Sequence, residues 1–110
     1  MSPVQKLQVS DVENSVAFFL RLLEFEVERT DQVATLRLAN GQSLELAEAA
    51  EFKPGMARLM VDDVRSVHEH VETKALAPFT KVKRQPWDTT EFAILDPDRN
   101  QLTMYSMSVT

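Results

Sequence analysis

The hexad Leu7-Gln8-Val9-Ser10-Asp11-Val12 aligns without gaps on Leu59-Met60-Val61-Asp62-Asp63-Val64, and this internal repeat restricts the possible folds more than any other feature of the chain. Each hexad alternates apolar residues with others, as a half-buried strand does, and each contains an aspartate placed to cap a following helix. Helical spacing follows in both copies. After Asp11 the apolar residues Val12, Val16, Phe19, Leu20 and Leu23 fall on one side of a helix; after Asp63 the series is Val64, Val67, His68, Val71 and Ala75. Past the first helix, FEVERT, VATLRLA and QSLELAE alternate with period two; past the second, PFTKVKR, TEFAILD and QLTMYSM do the same. Each half therefore reads βαβββ. The expectation is an α+β chain of two βαβββ pseudo-repeats, residues 4–50 and 56–108, within a single domain, 1–110. A plain βαββαβ arrangement would leave one strand of each half unplaced.

The Asn40-Gly41 pair tests the register. A two-residue turn there sets Leu36 opposite Glu45 and Leu38 opposite Ser43, which puts core and water on one face. A three-residue loop, Ala39 to Gly41 with Gly41 left-handed, pairs Leu36 with Leu44 and Thr35 with Glu45 instead. That parity turns Leu7, Val9, Leu36, Leu38, Leu44, Leu46, Leu59, Val61 and Leu102 toward the helices. Lys6, Gln8, Thr35, Arg37, Ser43, Glu45, Arg58, Met60, Thr103 and Tyr105 then share the opposite side. That second face holds too many charges for a core; it is either a solvated sheet back or, given its Met and Tyr residues and paired charges, a concave ligand surface.

Composition removes several classes of function. With no cysteine in the chain, there is no thiolate nucleophile, no thiolate metal site and no disulfide framework. A formal net charge of −5 disfavours a nucleic-acid backbone as partner and favours a neutral or cationic ligand. No apolar run reaches the roughly 20 residues a membrane helix needs, and MSPVQKLQVS lacks the layout of a secretory signal. A cytoplasmic location without membrane contact is the expectation. Neither a Walker loop nor a GxGxxG nor a Ser-His-Asp order is present. His68 and His70, two apart on one helix, project in different directions and cannot chelate one ion together; His68 is expected at the core margin and His70 on the surface.

In this order, on this repeat, the motifs resemble the vicinal oxygen chelate superfamily, also called the glyoxalase/bleomycin resistance protein/dioxygenase superfamily. Val9-Ser10-Asp11-Val12 through Phe18-Phe19 and Leu22-Leu23-Glu24-Phe25 look like its opening segment, with Phe19 where Tyr or Trp is common and Glu24 where Gly is usual. Asn40-Gly41 through Leu44-Glu45-Leu46 looks like the hairpin that closes its first half. Pro86-Trp87, Glu91-Phe92 and Asp96-Pro97-Asp98 before Asn100 are similar to the corresponding stretch of bleomycin resistance proteins, with Asp88 and Arg99 where Gly is usual. The resemblance implies a cupped mixed sheet with helices on its outer side, and a homodimer whose shared grooves hold a ligand.

Metal-dependent members of that superfamily carry ligands at places that fall here on Val4, Glu45, Met56 and Thr103. Only Glu45 offers a suitable donor, so no metal and no cofactor are expected. Without metal, an acid/base pair would have to be built on Glu45 near Arg37 or Arg58, and an arginine would hold the carboxyl low and make it a poor base. The ligand-binding candidates are Trp87, Glu45, Arg37, Arg58, Met60, Tyr105 and Thr103. Trp87 is either a stacking platform facing the groove, from a loop anchored by inward Phe92 and Ile94 with Glu91 and Ala93 on the cavity side, or a residue packed against a partner chain or capping the core. The reading is a metal-free protein that sequesters a small flat or cationic organic molecule, antibiotics included, in grooves at a homodimer interface. The alternative is a metal-dependent or Glu45-dependent lyase, isomerase or dioxygenase; a third is a scaffold whose role is dimerisation alone.

Overall fold

The computed structural model describes residues 4–74 and 80–107. In chain order the elements are β1 (Val4–Val9), α1 (Val12–Leu22), β2 (Glu26–Arg29), β3 (Val33–Arg37), β4 (Ser43–Glu48), β5 (Met56–Met60), α2 (Val64–Thr73), β6 (Lys83–Arg84), β7 (Thr89–Leu95) and β8 (Gln101–Met107). This is the βαβββ unit twice over, an α+β fold. Each unit forms its own four-stranded mixed sheet, in the orders β1-β4-β3-β2 and β5-β8-β7-β6. The first strand of each unit runs parallel to the last, and the remaining pairs are antiparallel. Ala75, Pro78 and Phe79, assigned above to the second helix and the following strand, lie outside the described residues, as does the Val4 side chain.

Both helices start on the aspartate of the repeat. Asp11 is extended and accepts from the Glu13 and Asn14 amides at 3.0 and 3.3 Å; Asp63 does the same for Arg65 and Ser66 at 3.1 and 3.3 Å. A partner from the last strand of each unit covers another free amide: Glu48 Oε1 accepts from Val12 N at 3.1 Å, and Ser106 Oγ from Val64 N at 3.3 Å. The buried face of α1 consists of Val12, Ser15, Phe19 and Leu22, while Leu20 is 46% exposed. The sequence reading had Leu20 on the core side. Burial of Leu22, three residues beyond Phe19, turns Leu20 outward instead. His68 lies edge-on to Phe92, with ring centroids 4.8 Å apart, and its Nδ1 is 2.8 Å from Glu72. His70 is exposed and bonds the Arg21 carbonyl.

The hairpin register is the one parity demanded: Leu36 lies opposite Leu44 and Thr35 opposite Glu45, with Gly41 at φ 91°. Leu38 N donates to Gln42 O and Gly41 N to Leu38 O, both at 2.9 Å, closing the three-residue loop. The same two bonds recur between Gln85 and Thr89 and between Asp96 and Asn100, and there the left-handed position is held by Asp88 (φ 64°) and Arg99 (φ 67°). One loop type thus serves three hairpins, twice without glycine.

One buried cluster draws on both units, from Leu7, Val9, Phe19, Leu36, Leu44 and Leu46 in the first to Leu59, Val71, Phe92, Ile94, Leu102 and Met104 in the second. Burying each such side chain contributes about 1.5–3 kcal/mol. Polar groups bind the halves at their seam. The Asp98 carboxylate accepts from Ser10 N at 3.1 Å and Ser10 Oγ at 2.7 Å. Asn100, fully buried, donates to Gln8 O at 2.8 Å and accepts from Gly55 N at 2.7 Å. Where β1 passes β5 no ladder forms between their backbones. Instead, the Gln5 carboxamide bonds both the N–H and the C=O of Arg58, and the Gln42 carboxamide does the same for Met60. These side-chain amides satisfy the backbone edge of β5 that would otherwise be left open.

Candidate ligand-binding site

Each sheet packs one face on the helices and offers the other as a half-cup. In the first half-cup the register aligns Lys6, Glu45, Thr35 and Glu28 in one row across four strands. In the second, Met60, Tyr105, Glu91 and Lys83 form the matching kind of row, next to Arg58, Thr103 and Ala93. The seven candidate residues therefore divide within one chain. Glu45 and Arg37 belong to the first half-cup, whereas Arg58, Met60, Thr103, Tyr105 and Trp87 belong to the second.

The ion pairs differ from the pairing read from sequence. Glu45 meets Lys6 at 3.7 Å, not Arg37 or Arg58. Arg37 pairs with Glu28 at 3.1 Å, and Arg58 with Glu91 at 3.0 Å. The reason lies in the parallel β1/β4 register, which sets Lys6 directly across from Glu45, while Arg37 falls opposite Ser43 and Glu26. The exposed Glu28 carboxyl is held below its usual range by the hydrogen bond and charge of Arg37. Glu45 consequently has no arginine partner from which an acid/base dyad could be built.

The second half-cup is the more organised. Arg58 bonds Glu91 with both terminal nitrogens, at 3.3 and 3.0 Å, and its guanidinium carbon sits 4.7 Å from the centroid of the Tyr105 ring. Glu91, its side chain 11% exposed, also accepts from Thr89 Oγ1 at 2.9 Å, and the Trp87 side chain is close enough to help lower its carboxyl. Burial pushes the Glu91 carboxyl up, but the bonds from Arg58 and Thr89, with the nearby Trp87, outweigh it and hold the group below its ordinary range. Trp87 is 59% exposed at the rim, in the tight loop between β6 and β7, where Arg84 and Asp88 pair at 3.5 Å. Phe92 and Ile94 are buried as expected, and Glu91 faces the cup with Thr103 and Lys83. Ala93 also lines that side, with 6% of its surface exposed.

Glu91, a cavity-side residue by parity and absent from the seven candidates, is the carboxylate that Arg58 and Thr89 both bond. Lys81, Lys83 and Gln101 line the same cavity, of about 220 Å³, and were not singled out at all. The available signal was the alternation Lys81-Val82-Lys83, in which Val82 packs on the core and both lysines turn from it.

Three of the four places that the resemblance above assigns to metal ligands, Glu45, Met56 and Thr103, have described side chains. Glu45 is engaged by Lys6 in one sheet; Met56, 70% exposed, and Thr103, 7% exposed, stand in the other. Among the described residues no three His, Cys, Asp or Glu side chains gather. No helix of the described residues is long and apolar enough to cross a membrane.

A family model of the Glyoxalase/Bleomycin resistance protein/Dioxygenase superfamily matches residues 3–104. A bleomycin resistance protein of Geobacillus stearothermophilus is 24% identical over 126 aligned positions, covering 96% of each chain. Among solved structures, a bleomycin resistance determinant encoded on the transposon Tn5 superimposes with a TM-score of 0.85 at 19% identity, covering 99% of both chains. A bleomycin-binding protein complexed with bleomycin superimposes with a TM-score of 0.77 at 18% identity, covering 96% of this chain and 98% of that one.

Proposed function

Because the chain belongs to the Glyoxalase/Bleomycin resistance protein/Dioxygenase superfamily, in which small-molecule binding occurs, we propose that it is a metal-free binding protein that sequesters a flat organic molecule. Antibiotics of that shape are included, and bleomycin is a test ligand by analogy with the relatives. The observation that carries the reading is Trp87, the only tryptophan in the chain, 59% exposed in the loop at the rim of the second half-cup and close to Glu91. A rigid, exposed indole face suits stacking, which contributes about 0.5–1.5 kcal/mol beyond the area it buries. Arg58 over Tyr105 adds a flat cationic floor, and Met60 an adaptable apolar wall.

We further propose a cytoplasmic homodimer, with grooves completed by a second copy. Each half-cup is open, and the second carries the exposed apolar side chains Met56, Met60, Trp87 and Met107. In such a dimer Glu45 and Arg37 complete the ligand surface beside Trp87, Arg58, Met60, Thr103 and Tyr105. Binding alone is the mechanism, without bond making. A thermal-stability screen of drugs and metabolites tests the reading: a ligand of the native state raises the melting temperature with its concentration. Light scattering at micromolar protein should give a dimer, and a monomer at that concentration contradicts the shared groove. Stoichiometric retention of a divalent metal, lost in Glu45→Ala, contradicts the metal-free reading.

A further inference from the structure

The second half-cup carries positive charge that no carboxylate of the described residues answers. Lys81 and Lys83 line the cavity beside Glu91, but Glu91 is already held by Arg58 and Thr89, and neither lysine has an ion pair there. An irregularity of the edge strand helps place them. Thr80 is bonded to Ala93 in both directions, at 2.9 and 2.8 Å, while Lys83 lies opposite Glu91, so three steps of the outer strand run against two of β7. Such a bulge re-aims side chains at a sheet edge. Thr80 Oγ1 accepts from Ala93 N, which leaves its hydroxyl proton to donate, and Gln101 and Thr103 complete the lining.

We propose that this cavity is an anion subsite that takes the carboxylate of an aromatic acid, with the ring lying on Trp87. This assignment rests on the reading of Trp87 as a ligand platform. At about 220 Å³ the cavity accommodates a head group, not a drug-sized body. It shares Lys83 and Gln85 with a neighbouring open cavity of about 650 Å³ that Trp87 and Pro86 line, so a ligand can occupy both at once. The net charge of −5 does not oppose this, because salt screens charges beyond roughly 8–10 Å and the local charges are the lysines. The neutral or cationic ligand suggested by the whole-chain charge is thereby replaced with an anionic one.

Three matched probes, 2-naphthoate, 2-naphthamide and 2-naphthylmethylammonium, test the assignment in the full-length protein, read by the single indole N–H resonance of Trp87. The expected result is naphthoate binding at least about tenfold tighter than the amide, with the ammonium weakest. Lys81→Gln combined with Lys83→Gln should remove the preference, weakening naphthoate at least about tenfold more than the amide. Equal affinities for acid and amide overturn the anion subsite while leaving the Trp87 platform standing. Should no probe move the indole resonance, the platform reading fails, and sodium acetate decides the subsite separately. Saturable acetate shifts at the Lys81, Lys83 and Thr103 amides sustain it, and their absence overturns it. A double variant that dissociates the dimer with the acid preference intact assigns the lysines to assembly and likewise overturns it.

Discussion

Arg58 grips Glu91 through both terminal nitrogens, at 3.3 and 3.0 Å, while its guanidinium lies 4.7 Å from the centre of the Tyr105 ring. A pair with one partner 46% exposed contributes only about 0–1 kcal/mol to stability. Its larger effect is positional, since the Trp87 side chain lies close to the same carboxylate. Glu91→Gln is therefore expected to leave the protein folded and to shift the Trp87 indole resonance. An unmoved resonance would separate the two residues.

The same carboxylate sets a pH dependence. Glu91 lies below its ordinary value of 4.5 in the folded protein, so its stabilisation is full above that value and is lost as pH falls through the lower folded value. Asp96 acts in the opposite sense. Burial raises its carboxyl against the bonds it accepts from Asn100 and Asp98, so its contribution is lost as pH rises through the folded value. Urea midpoints measured downward from about pH 5 should fall less steeply for Glu91→Gln than for the parent chain. Parallel curves contradict this.

The seam between the halves depends on the Asp98 carboxylate. Asp98→Ala leaves Ser10 N and Oγ without their acceptor and should cost about 1–3 kcal/mol, whereas Ser10→Ala removes one bond and should cost about 1 kcal/mol. Equilibrium urea unfolding checks both values. Equal losses for the two variants would mean that the backbone bond to Ser10 contributes nothing.

Arg99 at φ 67° carries strain that glycine would relieve. A non-glycine residue there costs about 1–2 kcal/mol, partly offset by the greater unfolded-state entropy of glycine, so Arg99→Gly should stabilise by about 0.5–1 kcal/mol. Arg99→Val should destabilise. Thermal melting of the two variants is sufficient, and a lower melting temperature for Arg99→Gly would locate the importance of Arg99 in its side chain.

Much of the fold was legible because its signals are local. The repeated Asp caps, the period-two runs and the parity argument at Asn40-Gly41 give the helix starts, the βαβββ succession of elements in each unit and the Leu36/Leu44 register. The loops at Asp88 and Arg99 were harder to read, because their residues do not announce a left-handed backbone as Gly41 does. Leu20 was misassigned because two adjacent leucine-like positions straddle the boundary of the α1 core face, and only the packing of Leu22 decides between them. The site was less legible still. Lys6 meets Glu45 through a parallel pairing of strands far apart in sequence, and Arg58 meets Glu91 across β8. Sequence parity states which face each residue occupies but not which neighbour it reaches. The alternation of PFTKVKR states that Lys81 and Lys83 turn from the core, but not that a cavity lies beside them, which depends on β7 and β8 packing against this short edge strand.

The most direct test of the binding account is a titration that follows the lone indole N–H resonance of Trp87, with bleomycin and the naphthalene probes as ligands. The account predicts a saturable shift, with Trp87→Ala weakening calorimetric affinity by about 1–3 kcal/mol. Because Trp87 is 59% exposed, that variant should unfold within about 1 kcal/mol of the parent chain. Saturable binding with the indole resonance unmoved, or a Trp87→Ala protein that loses about 3–5 kcal/mol of stability while binding as before, would assign the tryptophan to the fold and contradict the account.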